Sequence, residues 1–276
     1  MEWRNLISVV IRTRDKERFL DRLLENLAMQ TVQASEIIIV DNYSTIEKRR
    51  VLEDVLSEIV KRCFKHRVTK FKFTSLTDYE FSHAYSTNLG VSLAENELVC
   101  ITNAHSLPIS LRWLQDGIRY FEDSKIAGVG GFFVPNRETI AGKRINNLYR
   151  FSQKMVLYQD GSSSRFATTN CIIRKSLWKT YPFDENLPKL IPETRKYGLE
   201  DYDWSIEMAA RGFKITVDPA FSVFHSHDES FKEIKRNVKR YFVYRRIQRR
   251  ISLFQRPKAS FSRVFQEKVS FKEIVV

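Results

Sequence analysis

Apolar runs alternate with amphipathic segments along the N-terminal part of the chain. Leu6–Ile11 and Glu36–Val40 are rich in β-branched residues and show no polar alternation, which predicts strands buried on both faces. Residues 16–30 and 46–63 instead carry apolar side chains at helical spacing. This strand–helix–strand–helix order predicts parallel strands joined by right-handed crossovers.

The same patterns continue as far as residue 217. Further strands are predicted at Phe71–Phe73, Leu98–Thr102, Ile126–Val134, Asn170–Arg174 and Phe213–Val217. Further helices are predicted at Ser86–Ala94, 111–123 and Glu200–Gly212. Residues 136–165 are polar and irregular, which predicts a mobile loop that covers the functional site of such a fold. The pattern therefore predicts an α/β fold with a mostly parallel central sheet flanked by helices.

The C-terminal part of the chain has a different character. Within residues 229–258, apolar side chains recur every three or four positions among Lys and Arg, which predicts a basic amphipathic helix. Lys232–Lys258 contains eleven Lys or Arg against one Glu, so most of the formal charge of +13 lies there. We therefore expect a domain over residues 1–228 and a basic helical extension over 229–276. The helix either lies on an anionic membrane surface or packs on the domain with its basic face in water.

Composition excludes several classes of protein. The longest apolar runs fall far short of the roughly 20 residues that a membrane span needs, and the N-terminal run is too short for a signal peptide. We expect a cytoplasmic protein, peripheral at the inner face of the cell membrane if the basic helix binds lipid. The three cysteines are widely spaced and predicted to be reduced. A nucleic-acid partner would rest on charge alone and is not expected.

Polar residues follow the first two predicted strands. Ligands bind beyond the carboxyl ends of parallel strands, and Arg12-Thr13-Arg14 and Asp41 occupy those positions. Thr13 and Arg14 are candidates for contacts to a nucleobase, and Asp41 is a candidate acceptor of hydrogen bonds from a base or ribose. The alternative for Asp41 is a structural cap or an Asx-turn.

Several motifs in a fixed order suggest a family. They are ISVVIRTRD, IIIVDNYST, NLG, TNAHSLP followed by Trp113, TTNCIIRKSLW, FDENLP and GLEDYDWSIEMAARGF. Over residues 6–228 these motifs resemble glycosyltransferase family 2, inverting enzymes with the Rossmann-like, nucleotide-sugar-binding GT-A fold. The resemblance implies a nucleotide-diphosphate sugar as donor, a saccharide or lipid-linked saccharide as acceptor, and a role in cell-surface polysaccharide synthesis.

The resemblance also implies a divalent metal, Mn²⁺ or Mg²⁺, at an Asp-x-Asp motif after the fourth strand. Here that position reads Asn103-Ala-His105, with Asn103 a candidate contact to the nucleotide sugar. Either His105 binds the metal, with a preference for Mn²⁺, or metal binding is lost. His225 and His227 share one face of an extended segment and are expected to complete the metal or diphosphate site.

The family's catalytic acidic pair corresponds to Glu200 and Asp201. By resemblance, Asp201 is the general base and Glu200 binds or orients the acceptor. The alternative is that Asp201 caps a helix N-terminus; the field of that terminus is expected to lower the pKa of Asp201 and to keep it ionised and able to accept a proton. Asp203 would replace Asp201 only if the helix began later. Asn170 is a further candidate contact to sugar or diphosphate.

Two other hypotheses stay open at this stage. One is a catalytically silent nucleotide-sugar-binding module on the same fold, because the Asp-x-Asp motif is absent. The other is a membrane-binding or polyanion-binding adaptor that acts through the basic segment. The enzymatic hypothesis requires that Asp41, His105, Asp201 and the pair His225 and His227 converge at one rim of the sheet.

Overall fold

Two sheets organise the described part of the chain. The computed structural model describes residues 7–134, 158–159, 166–225, 242–252 and 262–275. In chain order the strands are β1 (Ile7–Thr13), β2 (Glu36–Tyr43), β3 (Lys70–Thr77), β4 (Leu98–Asn103), β5 (Ser106–Pro108), β6 (Ile126–Gly130), β7 (Phe133–Val134), β8 (Tyr158–Gln159), β9 (Asn170–Arg174), β10 (Lys214–Val217), β11 (Val223–His225) and β12 (Lys272–Ile274). Among these residues, nine strands form the central sheet, while β5, β11 and β7 form a small second sheet.

The central sheet is mostly parallel, as predicted. Its strand order is β12-β3-β2-β1-β4-β9-β6-β10-β8, and only β12, β9 and β8 run against the other six. Thr13 pairs with Asp41 between β1 and β2, and Arg12 pairs with Asn103 between β1 and β4. Polar residues that are distant in sequence therefore meet at one edge of the sheet.

Helices cover both faces of the sheet. They are α1 (Leu20–Ala28), α2 (Ile46–Phe64), α3 (His83–Leu93), α4 (Trp113–Ile118), α5 (Lys175–Thr180), α6 (Leu187–Leu190), α7 (Thr194–Tyr197), α8 (Glu200–Ala210) and α9 (residues 242–252). Single 3₁₀ turns span Arg119–Glu122 and Arg263–Phe265. Alternate side chains of β1 enter different cores, with Val9 and Ile11 in one and Val10 in the other. This explains the absence of polar alternation in the sequence.

Several element boundaries differ from the prediction, and two of the differences have a clear local cause. The single strand expected over Ile126–Val134 is divided into β6 and β7, which lie in different sheets. A Cβ atom at Gly131 would lie 1.3 Å from the Phe221 carbonyl oxygen, so only glycine allows the chain to cross there. Helix α3 begins at His83, earlier than predicted, because the Ser82 hydroxyl accepts a hydrogen bond from the Tyr85 amide (3.0 Å) and caps it.

The described C-terminal residues pack on the domain. Ile247 and Ile251 of α9 are buried in a cluster with Leu187 and Ile191, so the apolar face of this helix is covered by protein. The prediction of a wholly helical extension was wrong at its end. There β12 pairs antiparallel with β3 and buries Ile274, because the edge of β3 offers unpaired backbone groups.

Other predictions for the chain fall partly outside these ranges. Apart from β8, the loop predicted over residues 136–165 lies outside the described residues. Much of the basic segment lies outside them as well. Within the described ranges, every helix is too short or too polar to cross a bilayer.

Candidate active site

Arg12 connects the elements that meet at the carboxyl ends of β1 and β4. Its guanidinium donates hydrogen bonds to the Thr87 hydroxyl (2.8 Å) and the Asn103 side-chain oxygen (3.0 Å). It also donates to the carbonyl (3.2 Å) and hydroxyl (3.1 Å) of Thr168. One Arg12 nitrogen lies 4.0 Å from a carboxylate oxygen of Glu200. A single, partly buried cation therefore links the end of β4 to the start of α8.

Thr168 holds both members of the predicted catalytic pair. Its hydroxyl donates to Glu200 (3.2 Å), and its backbone amide donates to the Asp201 carboxylate (3.0 Å). The Tyr202 amide donates to the other Asp201 oxygen (2.7 Å). Because α8 begins at Glu200, the alternative assignment of the base to Asp203 is excluded. Asp203 is instead buried and accepts a hydrogen bond from Tyr181 (3.1 Å).

The expected electrostatic effect on Asp201 was wrong in direction. Burial and the negative charge of Glu200 raise the pKa of Asp201 to about 7, against the lowering effects of its hydrogen bonds and of Arg12. Burial likewise raises the pKa of Glu200. The field of the helix N-terminus is outweighed because two carboxyl groups share one poorly hydrated site. Asp201 is therefore set to exchange a proton near neutral pH.

The backbone before α8 adopts an unusual conformation. Gly198 has φ +72°, and Leu199, which directly precedes Glu200, has φ +80°. The left-handed region is costly for a leucine, and such strain is concentrated at functional sites. The turn places Glu200 and Asp201 at the first positions of α8.

Asp41 lies at the end of β2 and is completely buried. One of its carboxylate oxygens accepts a hydrogen bond from the Asp15 amide (3.1 Å), while the other has no hydrogen-bond partner. Burial raises the pKa of Asp41 to about 7. The alternative of a helix cap does not apply, because the hydroxyl of Thr45 caps α2. The free oxygen leaves Asp41 able to bind a ligand.

The other predicted nucleotide contacts lie beside Asp41. Thr13 is buried, and its hydroxyl accepts a hydrogen bond from the Glu17 amide (3.3 Å). Arg14 is exposed and forms an ion pair with Asp78 (2.9 Å). The turn between β1 and α1, which follows Thr13 and Arg14, is held by Asp15. The Asp15 carboxylate accepts hydrogen bonds from the Ser44 amide and hydroxyl, both at 2.7 Å.

His105 and His225 lie together, as predicted. Their ring centroids are 4.6 Å apart with an interplanar angle of 36°. The Nδ1 atom of His105 contacts the Glu17 carboxylate, and the Nδ1 atom of His225 lies 3.1 Å from the Ser106 hydroxyl. His227 lies outside the described residues. Because His105 follows Asn103 by two residues, the imidazole pair and the acidic pair share one rim.

This donor set is compatible in kind with a transition metal. Imidazole nitrogen suits Mn²⁺ better than Mg²⁺, and a carboxylate that orients one ring is typical of metal-binding histidines. The part of the chain that the structure describes contains no group of three or more His, Cys, Asp or Glu that could hold a metal ion. Protein ligands from these residues would therefore number two, His105 and His225, and a diphosphate would have to supply others.

The prediction for Asn170 was wrong. Its side chain is fully buried, with its amide donating to the Phe221 carbonyl (2.8 Å) and its oxygen accepting from the Trp113 indole (3.2 Å). Trp113 is also fully buried and stacks on Phe221. Asn170 therefore holds the core between β9, α4 and the segment before β11, and does not face a ligand.

Three residues at the site were not predicted from the sequence: Glu17, His83 and Thr168. Arg12 was placed at the strand end together with Thr13, but no role was predicted for it. His83 lies near Arg12 and Asp201, and burial and the charge of Arg12 lower its pKa to about 4. Its imidazole is therefore neutral at physiological pH. Thr168 has no local signal, because its partners lie 32 to 156 residues away.

Comparison with known proteins gives consistent results. A family model described as glycosyl transferase family 2 matches residues 8–181, which is more than half of the chain. A curated relative from Methanococcus voltae is 24% identical over 245 residues, covering 85% of this chain and 71% of that protein. It is named dolichyl N-acetyl-alpha-D-glucosaminyl phosphate 3-beta-D-2,3-diacetamido-2,3-dideoxy-beta-D-glucuronosyltransferase.

Two solved structures show the same fold. The mannosyltransferase PcManGT from Pyrobaculum calidifontis, in complex with GDP-Man and Mn²⁺, matches with a TM-score of 0.63 at 16% identity, covering 93% of this chain and 67% of that one. A fragment of S. aureus TarS in complex with UDP-GlcNAc matches with a TM-score of 0.51 at 16% identity, covering 82% and 59%. At these identities the likeness concerns the fold alone.

Proposed function

This chain belongs to glycosyltransferase family 2 and is a glycosyltransferase. From that premise we propose that it transfers a sugar, with inversion, from a nucleotide-diphosphate sugar to a saccharide or lipid-linked saccharide, with Asp201 as the base. One observation carries the proposal: the buried carboxylate of Glu200 and the partly buried carboxylate of Asp201 lie together at the start of α8, at the rim where parallel strands end, and both have raised pKa values. The nucleotide sugars in PcManGT and TarS, and the dolichyl phosphate in the name of the M. voltae relative, support the substrate classes.

Asp201 is suited to accept the acceptor's proton. As the acceptor hydroxyl oxygen forms its bond to the anomeric carbon, the bond from that carbon to the diphosphate oxygen breaks. The hydroxyl proton passes to an Asp201 carboxylate oxygen. A base with a pKa of about 7 is ionised in about half of the molecules at neutral pH and still has a useful affinity for a proton.

Arg12 and Thr168 act as positioning residues for this step. Thr168 donates to both carboxylates, and Arg12 fixes Thr168 through its carbonyl and its hydroxyl. The positive charge of Arg12 also lowers the pKa of both Glu200 and Asp201. Glu200 is buried beside Arg12 and is proposed to orient the acceptor.

The donor nucleotide is proposed to bind over the ends of β1 and β2. The free Asp41 oxygen would accept a hydrogen bond from the base or ribose. Thr13, which pairs with Asp41 in the sheet, and Arg14 are proposed to contact the base, and Asn103 is proposed to contact the nucleotide sugar. Asn42 is also buried, and its side-chain oxygen has no hydrogen-bond partner, which supports a second polar contact at this position.

His105 and His225 would hold the metal, with His227 a proposed third ligand. A bound Mn²⁺ would supply positive charge opposite the diphosphate leaving group. The contact of His105 with Glu17 orients its ring. This assignment is supported by the contact between the two imidazoles.

A peripheral position at the cytoplasmic face of a membrane is part of the proposal. The apolar face of α9 packs on the domain, so the interaction would depend on exposed arginines, Arg245, Arg246 and Arg249. Cations near an anionic leaflet contribute roughly 1 kcal/mol each. A lipid-linked acceptor would be delivered at such a surface.

A panel of nucleotide sugars tests the function. The correct donor should raise the Tm, and at a hundred times its Kd it should add about 2.7 kcal/mol to the free energy of unfolding. Transfer or slow donor hydrolysis should require Mn²⁺ or Mg²⁺, and His105→Ala should weaken the metal's effect on the Tm. Nucleotide binding that is insensitive to a chelator, with no turnover of any donor, would support the catalytically silent module instead.

A further inference from the structure

A cavity of about 800 Å³ opens beside Glu200. Its walls are the loop between β3 and α3, the segment from Asp184 to Gly198, and Arg263. His83 and Glu200 line it, and a Cβ atom at Gly198 would lie 2.9 Å from the Glu200 carboxylate and 3.5 Å from the His83 ring. Because Gly198 has no side chain, the carboxylate and the imidazole remain close to one another at this wall.

The cavity adjoins the proposed donor site at Asp78, which pairs with Arg14 and accepts a hydrogen bond from Asn42. Neither Asp41, Asn103 nor His105 is among the described residues that line it, whereas Glu200 is. Beyond Asp78, the cavity therefore reaches the acidic pair along residues that are not proposed to contact the nucleotide. A reaction between two substrates requires such a second approach, and this cavity is large enough for a sugar with a substituent.

Two aromatic rings stand exposed at this cavity. Tyr79 is 99% exposed and Phe81 is 38% exposed, and both line it. An apolar ring that is left in water at the wall of a cavity is typical of a ligand-binding surface. Both rings lie in the β3–α3 loop, so this loop offers a face for the apolar side of a sugar ring.

Most of the acidic side chains in the cavity are already engaged. Glu185 accepts hydrogen bonds from Asn88 (2.8 Å), Ser262 and Arg263 (3.1 Å). Asp78 is paired with Arg14, and Glu80 accepts hydrogen bonds from the Thr77 amide and hydroxyl. The charge of these carboxylates is thus offset by protein groups.

The cations at the cavity differ from these acids. Lys189 and Arg195 line it and are exposed, and the described residues provide no side-chain partner for either. Helix α9 packs on the same α6–α7 segment, where Arg250 pairs with Glu193 (2.8 Å) and Arg245, Arg246 and Arg249 are exposed. Among the described residues that line the cavity, Lys189 and Arg195 are therefore the cations without a carboxylate partner, while the carboxylate of Glu200 lies near the reaction centre.

We propose that this cavity binds the acceptor, and that the acceptor carries an anionic group, phosphate or carboxylate, which Lys189 and Arg195 bind. This inference rests on the proposed function, since it deepens the assignment of the acceptor. The sugar that carries the attacking hydroxyl lies against Tyr79 and Phe81, with that hydroxyl toward the acidic pair. The anionic group lies at the rim, away from the negative charge of Glu200.

Three small probes test the charge of the acceptor: N-acetylglucosamine 1-phosphate, methyl glucuronide and neutral methyl glucoside. Their affinity for the full chain is measured by titration calorimetry or ligand-observed NMR. The phosphate, the carboxylate or both should bind about tenfold or more tightly than the neutral glycoside. The tighter of the two anions identifies the source of the charge. Equal affinity for all three probes would overturn the inference.

Variants locate the site. The double variant Lys189→Gln/Arg195→Gln should lose the preference for the anionic probe and retain weak binding of the neutral glycoside. Lys196→Gln is the matched control, because Lys196 is an exposed cation on the same short helix that does not line the cavity. An unchanged preference in the double variant, with an unchanged Tm, would overturn the assignment.

Measurements on the wild-type chain distinguish failure of this inference from failure of the proposed function. If nucleotide sugars raise the Tm but the probes show no charge preference, the acceptor assignment fails while the glycosyltransferase proposal stands. If no nucleotide sugar binds, the donor site fails whatever the probes do. Binding of the anionic probe that saturating donor does not abolish is the result expected for two separate sites.

Discussion

Charged side chains are buried at both ends of the central sheet, but they have different numbers of partners at the two ends. At the amino ends of the strands, Glu36 and Lys72 are almost completely buried and lie 2.9 Å apart. Lys72 also donates to the Leu93 carbonyl (2.9 Å) and to Glu95 (2.7 Å), while the Ser8 hydroxyl donates to Glu36 (2.5 Å). Each of these charges has several partners.

At the carboxyl ends of the strands, the acidic side chains lack a cation as close as Lys72 is to Glu36; the Arg12 guanidinium lies 4.0 Å from Glu200. Asp41 keeps one oxygen without a partner, and burial raises its pKa to about 7. Glu200 and Asp201 share Thr168 and Arg12, and burial raises the pKa of both. By contrast, hydrogen bonds from Lys72 and Lys70 lower the pKa of Glu95 to about 2.

This difference in partners distinguishes charges with a structural role from charges available to a ligand. A buried charge that is fully hydrogen-bonded contributes to a unique packing arrangement, and nothing remains for a ligand. A buried acid with a raised pKa destabilises the free protein at neutral pH, and such groups cluster at functional sites. Removing a charge at the amino ends of the strands should therefore lower stability and leave activity unchanged. Removing one at the carboxyl ends should lower activity and leave stability unchanged or raised.

Asp201→Asn should give the largest effect. Turnover should fall by about 10²- to 10⁴-fold, because general base catalysis contributes on this scale and asparagine does not accept the proton. The Tm at pH 8 should not fall, since the variant removes a charge from a poorly hydrated site. Transfer rates at saturating donor measure the loss.

A second carboxylate on the same helix is the control for that prediction. Glu207 of α8 forms an ion pair with Arg211 (2.8 Å), and Glu207→Gln should leave turnover within about twofold, since such helical pairs contribute only a few tenths of a kcal/mol. Equal losses in Asp201→Asn and Glu207→Gln would assign the effect to the helix and not to the base.

Lys72→Met should give the next largest effect, at the other end of the sheet. Loss of one partner of a buried ion pair leaves Glu36 uncompensated, and the free energy of unfolding should fall by about 3–5 kcal/mol. Urea denaturation measures it. Lys70→Met is the control, because Lys70 pairs with Glu95 at the surface and should change stability by about 0.5 kcal/mol or less. Activity per folded molecule should be unchanged in both variants.

The sequence allowed prediction of the fold and of the rim, for a simple physical reason. Apolar periodicity follows from which faces are buried, so the longer strands and helices through β10 were accessible from the sequence, whereas the short elements β5, β8, α5, α6 and α7 were not predicted. Ligands bind where parallel strands end, which placed Thr13 and Asp41 correctly at neighbouring positions. These predictions depend only on local pattern and on topology.

Predictions about individual polar side chains were less successful, because they depend on distant partners. Asn170 and Thr168 are close in sequence, at the start of β9. The side chain of Asn170 is hydrogen-bonded to Trp113 and Phe221, whereas Thr168 donates hydrogen bonds to Glu200 and Asp201. For Asp201, the helix position gave the wrong direction of pKa shift. Burial and a neighbouring carboxyl, which no local pattern reveals, dominate there.

Asp41→Asn should stabilise the free protein at alkaline pH, by less than Lys72→Met destabilises it. The folded pKa is about 7 and the ordinary value 3.8, so the folded state holds a proton between about pH 4 and pH 7 that the unfolded chain has released. The free energy of unfolding of the wild type therefore falls as pH rises through that window. The ceiling is about 4 kcal/mol, and we expect about 1–2 kcal/mol, because the new amide adds an unpaired donor.

The Tm of wild type and Asp41→Asn between pH 4.5 and 8.5, without nucleotide, tests this expectation. The difference should be greatest above pH 7 and should narrow toward pH 4.5. Asp54→Asn, at an exposed position on α2, is the control and should show no such trend. A stabilisation that instead grows toward low pH would contradict the assignment of a raised pKa to Asp41.

The smallest effect concerns the pH dependence of kcat/KM, which reports the free enzyme. Because the base must be ionised, activity should fall below about pH 7. The charge of Glu200 raises the pKa of Asp201 and that of Arg12 lowers it, so Glu200→Gln should move this acidic limb to lower pH and Arg12→Gln to higher pH. Each displacement should be about one pH unit or less, which corresponds to about 1.4 kcal/mol.

Arg174 distinguishes an electrostatic role of Arg12 from a structural one. Its guanidinium is also partly buried, but it donates to the backbone carbonyls of Phe121, Asp123 and Ile126, each at 2.8–3.0 Å, and it lies at the amino ends of β4 and β6. Arg174→Gln should lower the Tm without moving the acidic limb, whereas Arg12→Gln should move the limb as well. If both variants displace the limb equally, the pH response follows from general loosening, and the contrast between the two ends of the sheet fails.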